Sequence, residues 1–221
     1  MKGARPIIFY QEKFKTISQK KVCILIDFVA NYSEEARQEL LQHVKSHMSE
    51  KRFKHVLGVE KAAMQLAKDN GVSVEKASIA ALTHDYAKER SQADFFAVID
   101  SEGLDPDLKE WSNAIWHGVV GAYLVERELG INDTDILHAI TVHTTGAAEM
   151  TPLDKVIYVA DYIEPGRDFP GVNKARALAK ENLDAAVAYE TKQTLAFLIE
   201  KEARIYPKTI ETYNRWVAQK Q

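Results

Sequence analysis

Apolar residues recur at three- and four-residue spacing through most of the chain, as in Val56, Val59, Ala63 and Leu66, or Ile136, Ala139 and Ile140. That period lines up one face of an α-helix. From about Ser33 onward, segments of roughly 12 to 20 residues carry this spacing and are separated by helix punctuation. Gly71, Gly103, Gly130 and Gly146 stand where a helix ends in a left-handed residue. Ser73, Ser91, Asp105 before Pro106, and Thr151 before Pro152 and Asp154 offer caps at helix starts. The stretch from Asn173 to about Arg204, rich in Ala, Leu, Glu and Lys, suits one long helix or two packed ones. No alternating strand pattern is visible after residue 33, and neither a repeat nor a low-complexity tract interrupts the helices. The prediction is an all-α bundle forming a single globular domain over residues 33–221. Residues 1–32 read as an N-terminal extension of unassigned role, with short apolar patches around Ile7–Tyr10 and Val22–Ala30.

Composition narrows the classes of function. A chain of 221 residues buries a full core without cross-links, and the single Cys23 has no partner within it, which points to a cytoplasmic protein. The net charge of −3 is spread without a basic block, so nucleic acid is not expected as a partner. The apolar run Val22–Ala30 contains Asp27 and is far too short to cross a bilayer, so no membrane association is expected either.

The seven histidines keep different company, and that sorts them. His55 shares a helical stripe with Val59, Ala62 and Leu66 and therefore faces inward. His84 and Asp85 close an apolar helix, Ala80-Ala81-Leu82-Thr83. Burying an imidazole beside a carboxylate is costly unless something pairs them, and a divalent metal does so, since both are good ligands for iron, manganese or zinc. Asp161 follows the apolar stripe Val156, Ile157, Val159 and Ala160 and equally needs a partner. His43 and His47, one turn apart on a polar helix, imitate a zinc pair but lack such surroundings, and His138 is read in the same way.

The ordered set His55, His84-Asp85 and Asp161 resembles the HD-domain superfamily of metal-dependent phosphohydrolases. A closer resemblance is to the symmetrical bis(5′-nucleosyl)-tetraphosphatases. It is carried by Arg52-Phe53-Lys54-His55, Thr83-His84-Asp85-Tyr86-Ala87-Lys88, Trp116-His117-Gly118, the run Ala139 to Gly146, and Ala160-Asp161-Tyr162-Ile163-Glu164-Pro165-Gly166-Arg167, and it spans about residues 36–210. The resemblance implies an HD-domain helical bundle in which His55, His84, Asp85 and Asp161 hold iron, with manganese, cobalt or nickel as substitutes. It also implies that Arg52, Lys88, His117, His143, Thr144 and Arg167 bind a nucleoside diphosphate product.

Spacing agrees with this. On one continuous helix Lys88 would share a face with His84 and Asp85, Arg52 sits one turn before His55, and Arg167 lies just beyond the helix of Asp161. Gly118 and Gly121 would let a ligand or another backbone approach closely. The expected reaction is attack of metal-activated water on an inner phosphorus of diadenosine tetraphosphate, giving ADP twice over. Asp85, His117 and His143 are the candidates for proton transfer or phosphate contact, and the two histidines leave a second metal open. Another nucleotide as substrate (a deoxynucleoside triphosphate, a guanosine alarmone or a cyclic dinucleotide) and a non-catalytic nucleotide-binding protein are the competing readings. A homodimer is compatible with either.

Overall fold

Helix signals in the sequence become helices at nearly every mark. The structure, a computed structural model, describes residues 32–218; of the expected N-terminal extension only Tyr32 is included, and the rest lies outside the described residues. The elements are α1 (Glu34–Lys45), α2 (Glu50–Asp69), α3 (Val74–Thr83), α4 (Gln92–Ser101), a short 3-10 turn (Pro106–Glu110), α5 (Asn113–Val119), α6 (Gly121–Leu129), α7 (Thr134–Val142), α8 (Pro152–Ile163), α9 (Val172–Glu181), α10 (Leu183–Glu200) and α11 (Pro207–Trp216). No strand occurs among the described residues. Ser73 and Ser91 cap α3 and α4, and Thr151 caps α8 through a reciprocal bond with Asp154. The Ala-rich stretch resolves into two helices, because Asn182 breaks it in extended conformation and then caps α10.

The apolar stripes meet in one main core. Val56, Val59 and Ala63 of α2, Ile79 to Leu82 of α3, Ile136 and Ile140 of α7, and Val156 to Ala160 of α8 are buried against one another. Each such Val, Leu or Ile stabilises by about 1.5–3 kcal/mol relative to an exposed position, which makes this layer the frame for everything it carries. A second, smaller cluster, built on Phe95, Ile99, Trp116 and Leu124, seats α5 and α6 on the flank. As a result, α3, α5, α7 and α8 bring their C-terminal ends toward one region, facing the first turns of α2.

That convergence depends on one tight turn after α7. Gly146 has φ +63°, its N–H donates to Val142 O, and a Cβ there would lie 2.5 Å from Thr212 Cγ2 on α11. Thr212 Oγ1 in turn donates to Thr145 O at 3.0 Å, locking α11 to the turn. Gly103 has the same positive φ but open space around it. Gly146→Ala should therefore cost about 2–4 kcal/mol, conformational strain plus a clash, whereas Gly103→Ala should cost only about 1 kcal/mol. Urea unfolding of both variants checks this, and equal midpoints would contradict the packing argument.

Candidate metal centre

Two of the inward histidines are oriented by helix ends and a third by a carbonyl of its own helix. The last turn of a helix leaves carbonyls without intrahelical donors. His84 follows the end of α3 and donates from Nδ1 to Ala81 O at 2.7 Å; His143 follows α7 and donates to Ile140 O at 2.7 Å. His117, on α5, donates to Asn113 O at 2.6 Å. A carbonyl can only accept, so each Nδ1 carries the proton and each Nε2 turns a lone pair inward. Gly118 makes part of this possible: a Cβ there would lie 3.2 Å from the carbonyls of Ile140 and Thr141, so α7 packs directly on the α5 backbone. Close helix packing, and not ligand access, is thus what Gly118 provides, as does Gly121 against Ala87.

His55 is held differently. Its Nδ1–H donates to Glu164 Oε1 at 3.2 Å, and the other oxygen of Glu164 accepts from Gly166 N–H at 2.5 Å. A methyl group at Gly58 would collide with this carboxylate, so the glycine is what lets Glu164 reach across from the end of α8. Glu164 thereby turns His55 Nε2 toward Asp161, 3.0 Å from its Oδ1. The Asp161-x-x-Glu164 spacing was visible in the sequence, but nothing in one chain distinguished its second carboxylate from a surface acid.

Asp85 sits in the middle. Its carboxylate is 3% exposed and divides its oxygens: Oδ2 lies 3.6 Å from both His55 Nε2 and His84 Nε2, while Oδ1 lies 3.5 Å from His117 Nε2 and 3.9 Å from His143 Nε2. Arg52 Nη1 donates to Oδ2 at 2.7 Å. Burial works against the charged form of Asp85, yet the imidazoles of His84 and His117 hold its carboxyl below the ordinary value. Asp161, also opposed by burial, is held well down by His55.

Cations ring the carboxylates. Arg167 Nη2 donates to Asp161 Oδ1 at 2.6 Å and its Nε to the Asp161 carbonyl at 3.0 Å. Lys88 reaches the centre, but not along a helical face as its spacing suggested. The helix stops at Thr83, and residues 84–90 form successive turns closed by Tyr86 N–H to Thr83 O, Lys88 N–H to Asp85 O and Arg90 N–H to Ala87 O. These turns wrap the chain around Asp85, so Lys88 Nζ arrives 3.0 Å from His117 Nε2. Thr144 Oγ1 lies 3.0 Å from the Nε2 atoms of both His117 and His143, which are themselves 3.0 Å apart.

Among the described residues, buried polar atoms without a partner are few, and half of them, Arg52 Nε, His55 Nε2 and His84 Nε2, lie at this centre; Arg90 Nε, Asp154 Oδ1 and Glu190 Oε2 are the others. Glu60 accepts from Arg37 at 2.6 Å and 2.7 Å and from Ser78 at 2.6 Å. By contrast His84 Nε2 is fully buried with no hydrogen-bond partner, and His55 Nε2 faces Asp161 without the alignment of a hydrogen bond. Donors about 3 Å apart with lone pairs directed at a common point match neighbouring ligands on one ion with bonds of about 2.1 Å. His55, His84 and Asp85 form one group able to hold a metal, His84, His143 and Asp161 a second, and Asp85, His117 and His143 a third. His43 and His47 do not join any of them: His47 donates to the His43 carbonyl and packs on Tyr86. His138 pairs with Asp154 at 2.9 Å beside the α8 cap.

Comparison with known proteins decides the family. The HD domain model matches residues 52–166. The chain belongs to the HD domain family. The HD match opens at Arg52 and closes just past Glu164, so it contains the whole centre except Arg167. A symmetrical bis(5′-nucleosyl)-tetraphosphatase of Bacillus subtilis (strain 168) is 46% identical, covering 80% of this chain and 96% of its own length. One of the same name from Staphylococcus aureus (strain NCTC 8325 / PS 47) is 38% identical, covering 77% and 89%. A crystal structure described as a predicted HD superfamily hydrolase involved in NAD metabolism, from Clostridium acetobutylicum, superposes with a TM-score of 0.77 at 38% identity, covering 81% of this chain and 95% of that one.

The buried imidazoles give the protein a defined response to acid. Burial holds His117 well below the ordinary imidazole value of 6.5 and His143 down to about 4, each also opposed by a nearby imidazole. Unfolded, both bind a proton near pH 6.5, so unfolding takes up protons between pH 6.5 and about 4 and stability falls as the pH drops through that window. His55, raised by Asp161 and Glu164 despite its burial, titrates above it. Metal-free protein should lose unfolding midpoint on acidification from about pH 7 to 4.5, and His143→Gln should reduce that loss. An unreduced pH dependence in the variant would contradict the assignment.

Proposed function

We propose that the protein hydrolyses dinucleoside tetraphosphates symmetrically, with diadenosine tetraphosphate and water giving two molecules of ADP. The observation that carries this reading is the near full-length similarity to symmetrical bis(5′-nucleosyl)-tetraphosphatases, joined to a centre that combines metal donors with three cations, Arg52, Lys88 and Arg167. His55, His84, Asp85 and Asp161 would hold the ion, and we assign it as iron on family resemblance. A divalent ion there supplies Lewis-acid activation of water and of a phosphoryl oxygen.

The chain's own groups then have separate tasks. Arg52, Lys88 and Arg167 stabilise negative charge on the polyphosphate, the main requirement of phosphoryl transfer. The water oxygen bonds to one inner phosphorus, and the bridging oxygen leaves with the other ADP. His117 and His143 stay neutral at pH 7, which suits accepting a proton or binding a cation and not donating a proton. A specific observation favours a second ion: Asp85 turns Oδ1 to His117 and His143 while its Oδ2 serves the first set.

The test is a product analysis. Metal-loaded protein given diadenosine tetraphosphate should form ADP alone; ATP with AMP would refute symmetrical cleavage. Turnover confined to a deoxynucleoside triphosphate, a guanosine alarmone or a cyclic dinucleotide would replace the substrate. Asp85→Ala should lose both metal and activity, the latter by about a thousandfold or more, and full retention of either sinks the centre. Metal content of the wild type, one ion or two per chain, decides the second site. Glu164→Gln should lower metal affinity by about 10–100-fold while leaving the fold intact; unchanged affinity by competitive chelation would remove Glu164 from the centre.

A further inference from the structure

We infer that Glu128 on α6 is a positioning residue for the proposed reaction, holding the turn that carries Lys88 against the metal centre; the inference rests on the function proposed above.

Lys88 stands on backbone that no helix stiffens. Residues 84–90 are closed by short turns, and the lysine stem is itself flexible. An ammonium so mounted delivers its charge to one place only if the turn is fixed from outside. Glu128 fixes it at two points. Its Oε2 accepts from the Tyr86 hydroxyl at 2.6 Å and from Arg90 Nη2, and so grips the chain on either side of Lys88. The Arg90 guanidinium also lies over the Tyr86 ring, 5.4 Å from its centroid, which packs the two held side chains together. Between them the Lys88 carbonyl accepts from Asn113 Nδ2 at 3.1 Å, and Asn113 O accepts in turn from His117 Nδ1. The turn is thus registered on both α6 and α5, and Lys88 Nζ comes to lie 3.0 Å from His117 Nε2.

Both ends of the grip are firm. Leu124 of α6 is buried in the smaller cluster and Val125 and Leu129 in the main core, so the helix that carries Glu128 is fixed between the two. Tyr86 is 1% exposed, and burial together with the Glu128 carboxylate raises its hydroxyl above the ordinary value, which keeps it a donor. Without Glu128 that buried hydroxyl would lose its acceptor. The partly exposed ion pair with Arg90 stabilises little by itself. Geometry, and not pairing energy, is what Glu128 contributes.

In Glu128→Ala, kcat for diadenosine tetraphosphate should fall about tenfold or more with metal content unchanged, because a displaced cation no longer meets the charge that develops on the phosphates. Glu128→Gln, which can still accept from Tyr86, should recover most of the loss. A purely electrostatic role predicts the opposite sign, since removing a negative charge near the centre favours a polyphosphate. Tighter binding with kcat intact in both variants therefore overturns the inference. The deciding measurement is a double-mutant cycle with Lys88→Ala: the cost of Glu128→Ala should shrink to about twofold or less in that background, and an equal cost in both backgrounds overturns it. Lys88 can also be read without substrate. Acetylation of native protein by an N-hydroxysuccinimide ester, followed by mass spectrometry, should modify Lys88 several-fold faster in Glu128→Ala, relative to Lys109 in the same chain; an unchanged rate overturns the inference. If the wild type forms no ADP, the proposed reaction fails, and the acetylation rate decides the role of Glu128 by itself.

Discussion

A carboxylate buried among imidazoles is the interaction around which this protein is organised. Asp85 has almost no access to water, and the Nε2 atoms of His55, His84, His117 and His143 all lie within 3.9 Å of it. A charge so placed would be expensive if left alone. Arg52 pairs with it at 2.7 Å, and the directed lone pairs around it make the same space a receptacle for a cation.

That arrangement is supported by unremarkable backbone chemistry. Helix C-termini expose carbonyls, and two of the four imidazoles, His84 and His143, use them to fix the proton on Nδ1, while His117 uses the carbonyl of Asn113 at the start of its own helix. The fourth, His55, lies in the second turn of α2, where no free carbonyl is at hand, and it borrows Glu164. Glycines at 58 and 118 are the steric condition for both solutions, one admitting a carboxylate and the other a helix. The helix layer beneath them is apolar and well packed, so the polar groups are held by rigid elements and need little rearrangement to bind.

Charge is partitioned across the functional face. Arginines 52 and 167 and Lys88 gather at the carboxylates, whereas a cavity beyond Thr144 is aromatic and hydroxyl-lined. Thr144 stands at the boundary between them, its hydroxyl 3.0 Å from the Nε2 atoms of His117 and His143.

The sequence by itself determined the helices, their caps and the identity of the inward His and Asp residues, because period, punctuation and the cost of burying an unpartnered polar group are local properties. His55, His84, Asp85 and Asp161 could be picked out on that basis, and family resemblance added His117, His143, Thr144 and the cations. Only the tertiary structure decided how they meet. The break at Asn182, the end of α3 at Thr83 and the turns that swing Lys88 inward each depend on packing, which overrides a propensity that would have continued the helix. The same holds for the role of Glu164 and for the division of Asp85 between two pairs of imidazoles. Those features require groups far apart in the chain to approach within about 4 Å, and no spacing along one strand of sequence encodes a distance across the core.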